Sequence, residues 1–205
     1  MTQAISKGMI VEPVTLTGKF VQLEPMLAAH APMLADVGLD EELRRWIPDP
    51  VHTREEMLAY VKAALDQQAR GVSLPFTIME RASGKIIGST RYANIEHAHR
   101  RVEIGWTWVA IRWQRTAVNT ECKYLLLRHA FETLGCIRVE LKTDSLNDKS
   151  RKAIARIGGR EEGIFRNHMI TSTGRIRDSV YFSVIDSEWP QVKARLEEKL
   201  KRTGP

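Results

Sequence analysis

The sequence predicts an α+β fold (α/β mixed), with a mixed β-sheet of about seven strands and helices on both faces. Three observations predict it. Runs of period-two alternation recur between Val14 and Ile185. Longer runs of helical periodicity separate several of them. Tight-turn residues join some strand pairs and helices join others, so antiparallel and parallel neighbours must share one sheet.

Val14 to Pro25 reads as the first strand, with Val21 and Leu23 alternating. A short helical region, Ala28 to Gly38, follows. Thr53 is an N-cap, with Glu56 completing a capping box. Met57, Val61, Ala64 and Leu65 then recur at helical spacing, so Arg54 to Arg70 is a helix. Leu74 to Glu80 and Ile86 to Ile95 form a hairpin about Ala82-Ser83-Gly84-Lys85.

Arg100 to Val109 is another strand. Val102, Ile104, Trp106 and Trp108 fall on one face, and Glu103, Gly105, Thr107 and Val109 on the other. The loop from Trp113 to Thr120 enters a helix with a buried stripe of Val118, Cys122, Leu126, Ala130 and Leu134, ended by Gly135. Arg138 to Thr143 is a strand, and Asn147 to Ile157 a short helix closed by Gly158-Gly159. A hairpin (Ile164 to Met169, Ile176 to Ile185) turns at Ser172-Thr173-Gly174, and Trp189 to Lys201 is the last helix.

The 205 residues are 43% hydrophobic and 27% charged, the balance of an ordinary globular protein. We expect a single domain over residues 1–205, with 1–13 as a flexible arm. A chain of this size buries roughly 70% of its unfolded surface, so it needs no disulfide or metal to fold. Cys122 and Cys136 lack CxxC spacing and read as reduced core thiols. No stretch approaches the ~18 apolar residues of a membrane helix and no signal peptide is visible, so the expected location is cytoplasmic, with no membrane partner. The net charge of +6 raises the question of nucleic acid. Basic residues alternate with acidic ones, as in Arg54-Glu55-Glu56, and no basic block interleaves with aromatics, which argues against it. His97-Ala98-His99 has no third ligand nearby and reads as a polar turn, so no metal is expected.

The informative stretch is Arg101 to Gly159. A strand, VEIGWTWV, runs into a loop, AIRWQRTAVN, that opens a helix. The first N–H groups of a helix lack intrahelical partners and carry the positive end of its dipole, which makes a diphosphate site. A second strand then ends at Thr143-Asp144, and Asn147 begins a second helix.

Together with QRTAVNTECKYLLLRHAFETLG, RVELKTDSLNDKSRKAIARIGG and GRIRDSVYFSV, this stretch resembles the GNAT superfamily of acetyltransferases, and within it the RimJ/RimL-like branch that acetylates ribosomal-protein N-termini. The resemblance implies the GNAT fold: a twisted mixed sheet splayed between its fourth and fifth strands, with acetyl-coenzyme A in the gap. The pyrophosphate motif Q/R-x-x-G-x-G/A falls on Gln114, Arg115, Thr116, Ala117, Val118 and Asn119, with Thr120 following. Ala117 and Asn119 replace small or glycine positions. The second motif, N-x-x-S/A-x-x-x-Y-x-x-x-G-F, matches at Asn147, Ser150 and Gly158. Ile154 stands where many members carry a tyrosine that protonates the leaving thiolate, and Gly159 stands at the Phe position. The branch assigns the thiolate role to a serine at the position of Ser150.

Read on this resemblance, Glu103 is the candidate general base, directly or through water; the alternative is a cross-strand pair with Arg91 or Arg101. Gly105 marks a bulge or a close approach, unless it only makes room for a neighbouring Trp. Backbone N–H groups around Thr107, Trp108 and Val109 would hold the pantetheine arm. Asn147 is a cofactor contact, an N-cap, or both, and Lys149 a phosphate contact. Trp46, His168 and Tyr181 are candidates for the acceptor site. The expected function is acetyl transfer from acetyl-coenzyme A to a primary amine, either a protein N-terminus or a small molecule, without a metal. The alternative is a non-catalytic coenzyme A-binding module. A homodimer is compatible with the sequence, but no feature fixes one.

Overall fold

The computed structural model describes residues 8–202. Eight strands form one sheet: β1 (Leu16–Thr17), β2 (Val21–Pro25), β3 (Ser73–Glu80), β4 (Ile86–Glu96), β5 (Arg101–Val109), β6 (Arg138–Asp144), β7 (Arg160–Ile170) and β8 (Ile176–Ile185). Their spatial order is β1-β2-β3-β4-β5-β6-β8-β7. Every neighbouring pair is antiparallel except β5 and β6, which run parallel. The six helices are α1 (Ala31–Gly38), α2 (Glu41–Arg44), α3 (Arg54–Ala69), α4 (Ala117–Arg128), α5 (Asp148–Arg156) and α6 (Trp189–Arg202).

The eighth strand arises because the run from Val14 to Pro25 folds back on itself: Leu16 pairs with Leu23 across a turn at Gly18 to Phe20. The buried Glu121 of α4 holds that turn, its carboxylate accepting from the N–H groups of Lys19, Phe20 and Val21 at 2.6–2.8 Å. A Cβ at Gly18 would meet that carboxylate at 2.4 Å, so only glycine fits. No local period announces a contact made across about a hundred residues.

The sheet separates two cores. On one side α4, α5 and α6 bury Val118, Cys122, Leu126, Ala130, Leu134, Ile154, Val192 and Leu196 against Tyr92, Val102, Ile104, Leu141 and Phe182. The stripe read from the helical period is therefore buried, although α4 passes into a π-helical turn at His129–Thr133. On the other side α1 and α3 pack Leu34, Met57, Val61 and Ala64, with Trp108 against them. Burial pushes the Cys122 thiol up to about 12 and that of Cys136 up to about 11, so both stay protonated in the core.

The capping box at α3 is half formed. Thr53 accepts from Glu56 N–H at 3.1 Å, but the Glu56 carboxylate reaches back to the N–H of His52 instead. Residues 1–7 of the expected arm lie outside the described residues. Met9 is buried, with its carbonyl bound to His97 and its sulfur against Cys136, so this part of the arm is anchored. No helix among the described residues is long and apolar enough to cross a membrane.

Candidate active site

The site begins with a parallel pairing that stops early. β5 and β6 pair at Arg101 with Arg138, Val102 with Val139 and Glu103 with Glu140. Beyond Glu103 the two strands continue to Val109 and Asp144 without pairing, which leaves a widening gap between them. In the strand numbering read from the sequence these are the fourth and fifth strands.

On its other edge β5 carries a bulge. Gly105 pairs with Arg91 and Trp108 with Ser89, so Trp106 and Thr107 together oppose Thr90. Trp106 has a φ of 49°, the left-handed region that accommodates a bulge. The extra residue resets the alternation. Trp108 therefore packs with α1 and α3, and Val109 joins Val102 and Ile104 in the opposite core. This reverses the sequence-based faces of Trp108 and Val109. Trp106 leaves the core face and is 44% exposed.

Glu103 is 2% exposed. Its Oε2 accepts from Lys142 Nζ at 3.0 Å and from Asn94 Nδ2 at 2.8 Å. Neither Arg91 nor Arg101 is its partner: Arg101 binds Glu140, and Arg91 donates to Gln67 of α3. Gly105 does two things here. It precedes the bulge, and a Cβ on it would stand 2.9 Å from Glu103 Oε1.

Cross-strand partners point to the same face, so Lys142 places Tyr181 beside Glu103. Lys142 Nζ lies 6.0 Å from the Trp106 ring centroid and 5.7 Å from that of Tyr181. Tyr181 stacks on Phe165, its hydroxyl meets His168 Nε2 at 3.3 Å, and His168 Nδ1 meets Ser179. Partial burial, then the charges of Lys142 and Arg177, hold the His168 imidazole below its ordinary pKa, so it is neutral at pH 7. Trp46 does not join this group. It sits in the loop after α2, with its ring against Arg45. Pro48 of that loop accepts from Ser172, which ties the loop to the β7–β8 turn.

The mouth of the gap is stitched together. Gln114 donates to Val109 O at 2.9 Å and accepts from Lys149 Nζ at 2.5 Å, linking β5, the loop and α5. Arg115 takes a φ of 60°, and Thr116 caps α4 by accepting from Val118 N–H. Ala117 is already helical, so its methyl group meets no backbone conflict. Val118 and Thr120 are buried and Asn119 is half-buried in the same first turn. Thr107 turns its hydroxyl to Thr90 and to Lys123 of α4. Asn147 is the N-cap of α5, accepting from Ser150 N–H at 3.0 Å. Ile154 is buried, and a Cβ at Gly159 would lie 2.7 Å from it. The departures at these two motif positions are therefore matched to each other.

Comparison with known sequences decides the family: the profile of the acetyltransferase (GNAT) domain matches residues 21–160. The chain belongs to the GNAT acetyltransferase family. This GNAT chain is 33% identical over 106 residues to YdaF of Bacillus subtilis, which is provisionally named a ribosomal N-acetyltransferase. That match covers 52% of this chain and spans 57% of YdaF's length. A GCN5-related N-acetyltransferase of Brucella melitensis superposes with a TM-score of 0.86 and 33% identity, over 93% of this chain and 86% of its own. RimJ of Mycobacterium smegmatis, solved in complex with CoA-disulfide, follows at TM-score 0.79 and 25% identity, over 91% and 95%. The GNAT fold read from the motifs is thus the one these relatives share, and the names of YdaF and RimJ support the RimJ/RimL-like branch.

Sequence reasoning did not bring Asn94, Trp106, Lys142 or Arg177 to the surroundings of Glu103, and it named Arg91 only as a possible strand partner. Lys142 was open to discovery, since it shares the parity of Glu140 on a strand flanking β5. Trp106 was not, because its position depends on the bulge.

Proposed function

We infer that this acetyltransferase moves the acetyl group of acetyl-coenzyme A directly to a primary amine, a protein N-terminus or a small-molecule amine. The observation that carries the reading is the gap between β5 and β6, with an open helix start at one end and a buried carboxylate at the other. The cofactor fits the residues present: α4 offers unpaired N–H groups at Ala117 and Asn119, and the gap-facing edge of β5 beyond Glu103 has no ladder partner. The RimJ relative, solved in complex with CoA-disulfide, supports coenzyme A as the carrier of the acyl group.

When bound, acetyl-coenzyme A supplies an activated thioester. The first turn of α4, with Arg115, Thr116 and Thr120, holds the diphosphate, and Lys149 and Gln114 close over it. Thr107, Trp108 and Val109 offer backbone groups along the pantetheine arm. The bulge at Trp106–Thr107 leaves an N–H free to polarise the carbonyl oxygen. Glu103 receives the proton of the attacking amine, directly or through water. Ser150 donates to the departing sulfur, since Ile154 cannot. His168 and Tyr181 form the wall beside the incoming amine.

The test is coenzyme A thiol release over a panel of amines with the native protein and Glu103→Gln. Positioned acid–base help is worth roughly 10²–10⁴-fold, so the variant should lose about 10²-fold at pH 7 and recover in part as pH nears the amine's own pKa. Normal turnover across pH would reduce Glu103 to a strand charge paired with Lys142. Absence of release with every amine would overturn acetyl transfer to amines altogether.

A further inference from the structure

The face of the sheet that carries Glu103 also buries two arginines, Arg91 and Arg177. Among the described residues three buried side-chain polar atoms have no hydrogen-bond partner, and two of them are arginine Nε atoms, of Arg91 and Arg177. Arg91 pairs across β4 and β5 with Gly105, and Lys142 across β6 and β8 with Tyr181. Arg177 lies on the Tyr181 face of β8, two pairs of residues along. Both arginines therefore share the face of Glu103 and flank it on opposite sides.

Neither guanidinium is fully satisfied by the protein, since the Nε donor of each is unpaired. Arg91 is 2% exposed and has no carboxylate within ion-pair distance among the described residues. It lies over the rings of Tyr60 and Trp106, at 4.5 and 5.5 Å, and donates only to Gln67 at 3.3 Å. Arg177 is 5% exposed, and its Nε stands 3.8 Å from Asp144 Oδ2. Arg175 occupies that oxygen at closer range, and Leu146 N–H takes Oδ1. Lys142 and Arg175 already bind Glu103 and Asp144, the two buried carboxylates of this part of the face. Farther along the strands Arg101 and Arg138 are neutralised by Glu140 and Glu162.

Burying a guanidinium without its carboxylate is strongly unfavourable, and a free Nε donor adds to the penalty. Two buried guanidiniums with unpaired Nε donors, Arg91 without any carboxylate and Arg177 with a share of Asp144, leave donors that an incoming anion would satisfy. A polycationic amine would meet repulsion here; an amine that carries an acid would supply the missing partner.

We propose that the acceptor amine bears a carboxylate, and that a buried guanidinium of this face, Arg91 or Arg177, receives it. The inference rests on the acetyl-transfer reading above and narrows its acceptor class. Arg91 is one strand from the bulge, whereas Arg177 lies across the β5–β6 gap and four residues along β8 from Tyr181. An acid close to the amine, as in a free amino acid, would meet Arg91, and an acid farther along a peptide would meet Arg177.

The experiment compares matched acceptors by kcat/KM for thiol release. One arm sets amino acids against their amides; the other sets short peptides beginning Ser-Glu against Ser-Gln and Ser-Lys. We expect the acidic member to be favoured at least tenfold in one arm, and that arm identifies whether the source is a free amino acid or a peptide. Arg91→Gln in the amino-acid arm, or Arg177→Gln in the peptide arm, should bring the acid-to-amide ratio toward one, mainly through KM. Amides or lysine peptides used as well as the acids by the native protein would overturn the proposal and leave acetyl transfer standing. Silence with all acceptors would remove the reading beneath it, and the proposal with it. Because the native protein alone decides the preference, an arginine variant that fails to fold does not rescue the idea.

Discussion

Lys142 Nζ lies 3.0 Å from Glu103 Oε2, and Asn94 holds the same oxygen from the other side at 2.8 Å. Only Oε1 is left, and it rests over the bare Cα of Gly105, one residue before the bulge. The carboxylate is therefore fixed in direction toward the backbone that would polarise the thioester.

Gly105→Ala should disturb that direction. Its Cβ would stand 2.9 Å from Oε1, and Lys142 with Asn94 prevent easy retreat. We expect a rate loss of roughly 10–100-fold from misplacement, with a melting temperature near that of the native protein. The double variant Glu103→Gln with Gly105→Ala should be no slower than Glu103→Gln, since neighbours acting through one group are not additive. Additive losses would separate the glycine from the glutamate.

Ser150→Ala should cost less, about tenfold, because a thiol with pKa ~8.5 is already a fair leaving group. The deficit should fade above pH ~8.5. Asn147 caps α5 through the backbone N–H of Ser150, not its hydroxyl, so the helix should survive the change. A deficit independent of pH, seen in the kcat profile, would count against thiolate donation.

Ala117→Gly restores the family's glycine, but the helical geometry argues that nothing is gained. Ala117 is the first residue of α4, and glycine in a helix is less favourable by roughly 0.5–1 kcal/mol. We expect a slightly lower melting temperature and an unchanged KM for acetyl-coenzyme A. A clearly lower KM would mean that the methyl group obstructs the phosphates.

Lys123 is 6% exposed, with Thr107 Oγ1 at 2.5 Å, and burial lowers its pKa from 10.5 to about 8. At pH 7 it is protonated in both states, and that shift corresponds to a penalty of about 3 kcal/mol on the folded state. Between about pH 8 and 10.5 the folded chain has released a proton that the unfolded chain still binds, so this residue's contribution to stability rises with pH. The raised thiols of Cys122 and Cys136 act in the opposite sense at higher pH, so the comparison must be with Lys123→Met. That variant should be more stable at pH 7, and its advantage should shrink as pH climbs toward 10.5. A constant gap in denaturant midpoint would refute the burial penalty.

The longer helices were legible because a period runs through them: the stripe from Val118 to Leu134 is buried as its spacing requires, whereas the single turn of α2 carries no period and was not read. The loop that enters α4 was legible because a strand, a loop and a helix start lie consecutively in the chain. The three residues read as acceptor candidates do not all come together. His168 and Tyr181 do meet, whereas Trp46 stacks with its neighbour Arg45.

By itself the sequence determined most of the alternation of strands and helices, the loop that enters α4, although the helix begins at Ala117 and not after Thr120, and the placement of Glu103 on a strand beside it. These are local properties, set by side-chain period and by the unpaired groups at a helix start. Only the tertiary structure decided which residues face Glu103. Lys142 comes from a parallel strand, Asn94 from an antiparallel one, and the bulge at Trp106 reverses the faces of Trp108 and Val109. Register and bulges are fixed by pairing between distant segments, and one extra residue exchanges the two faces of every position beyond it.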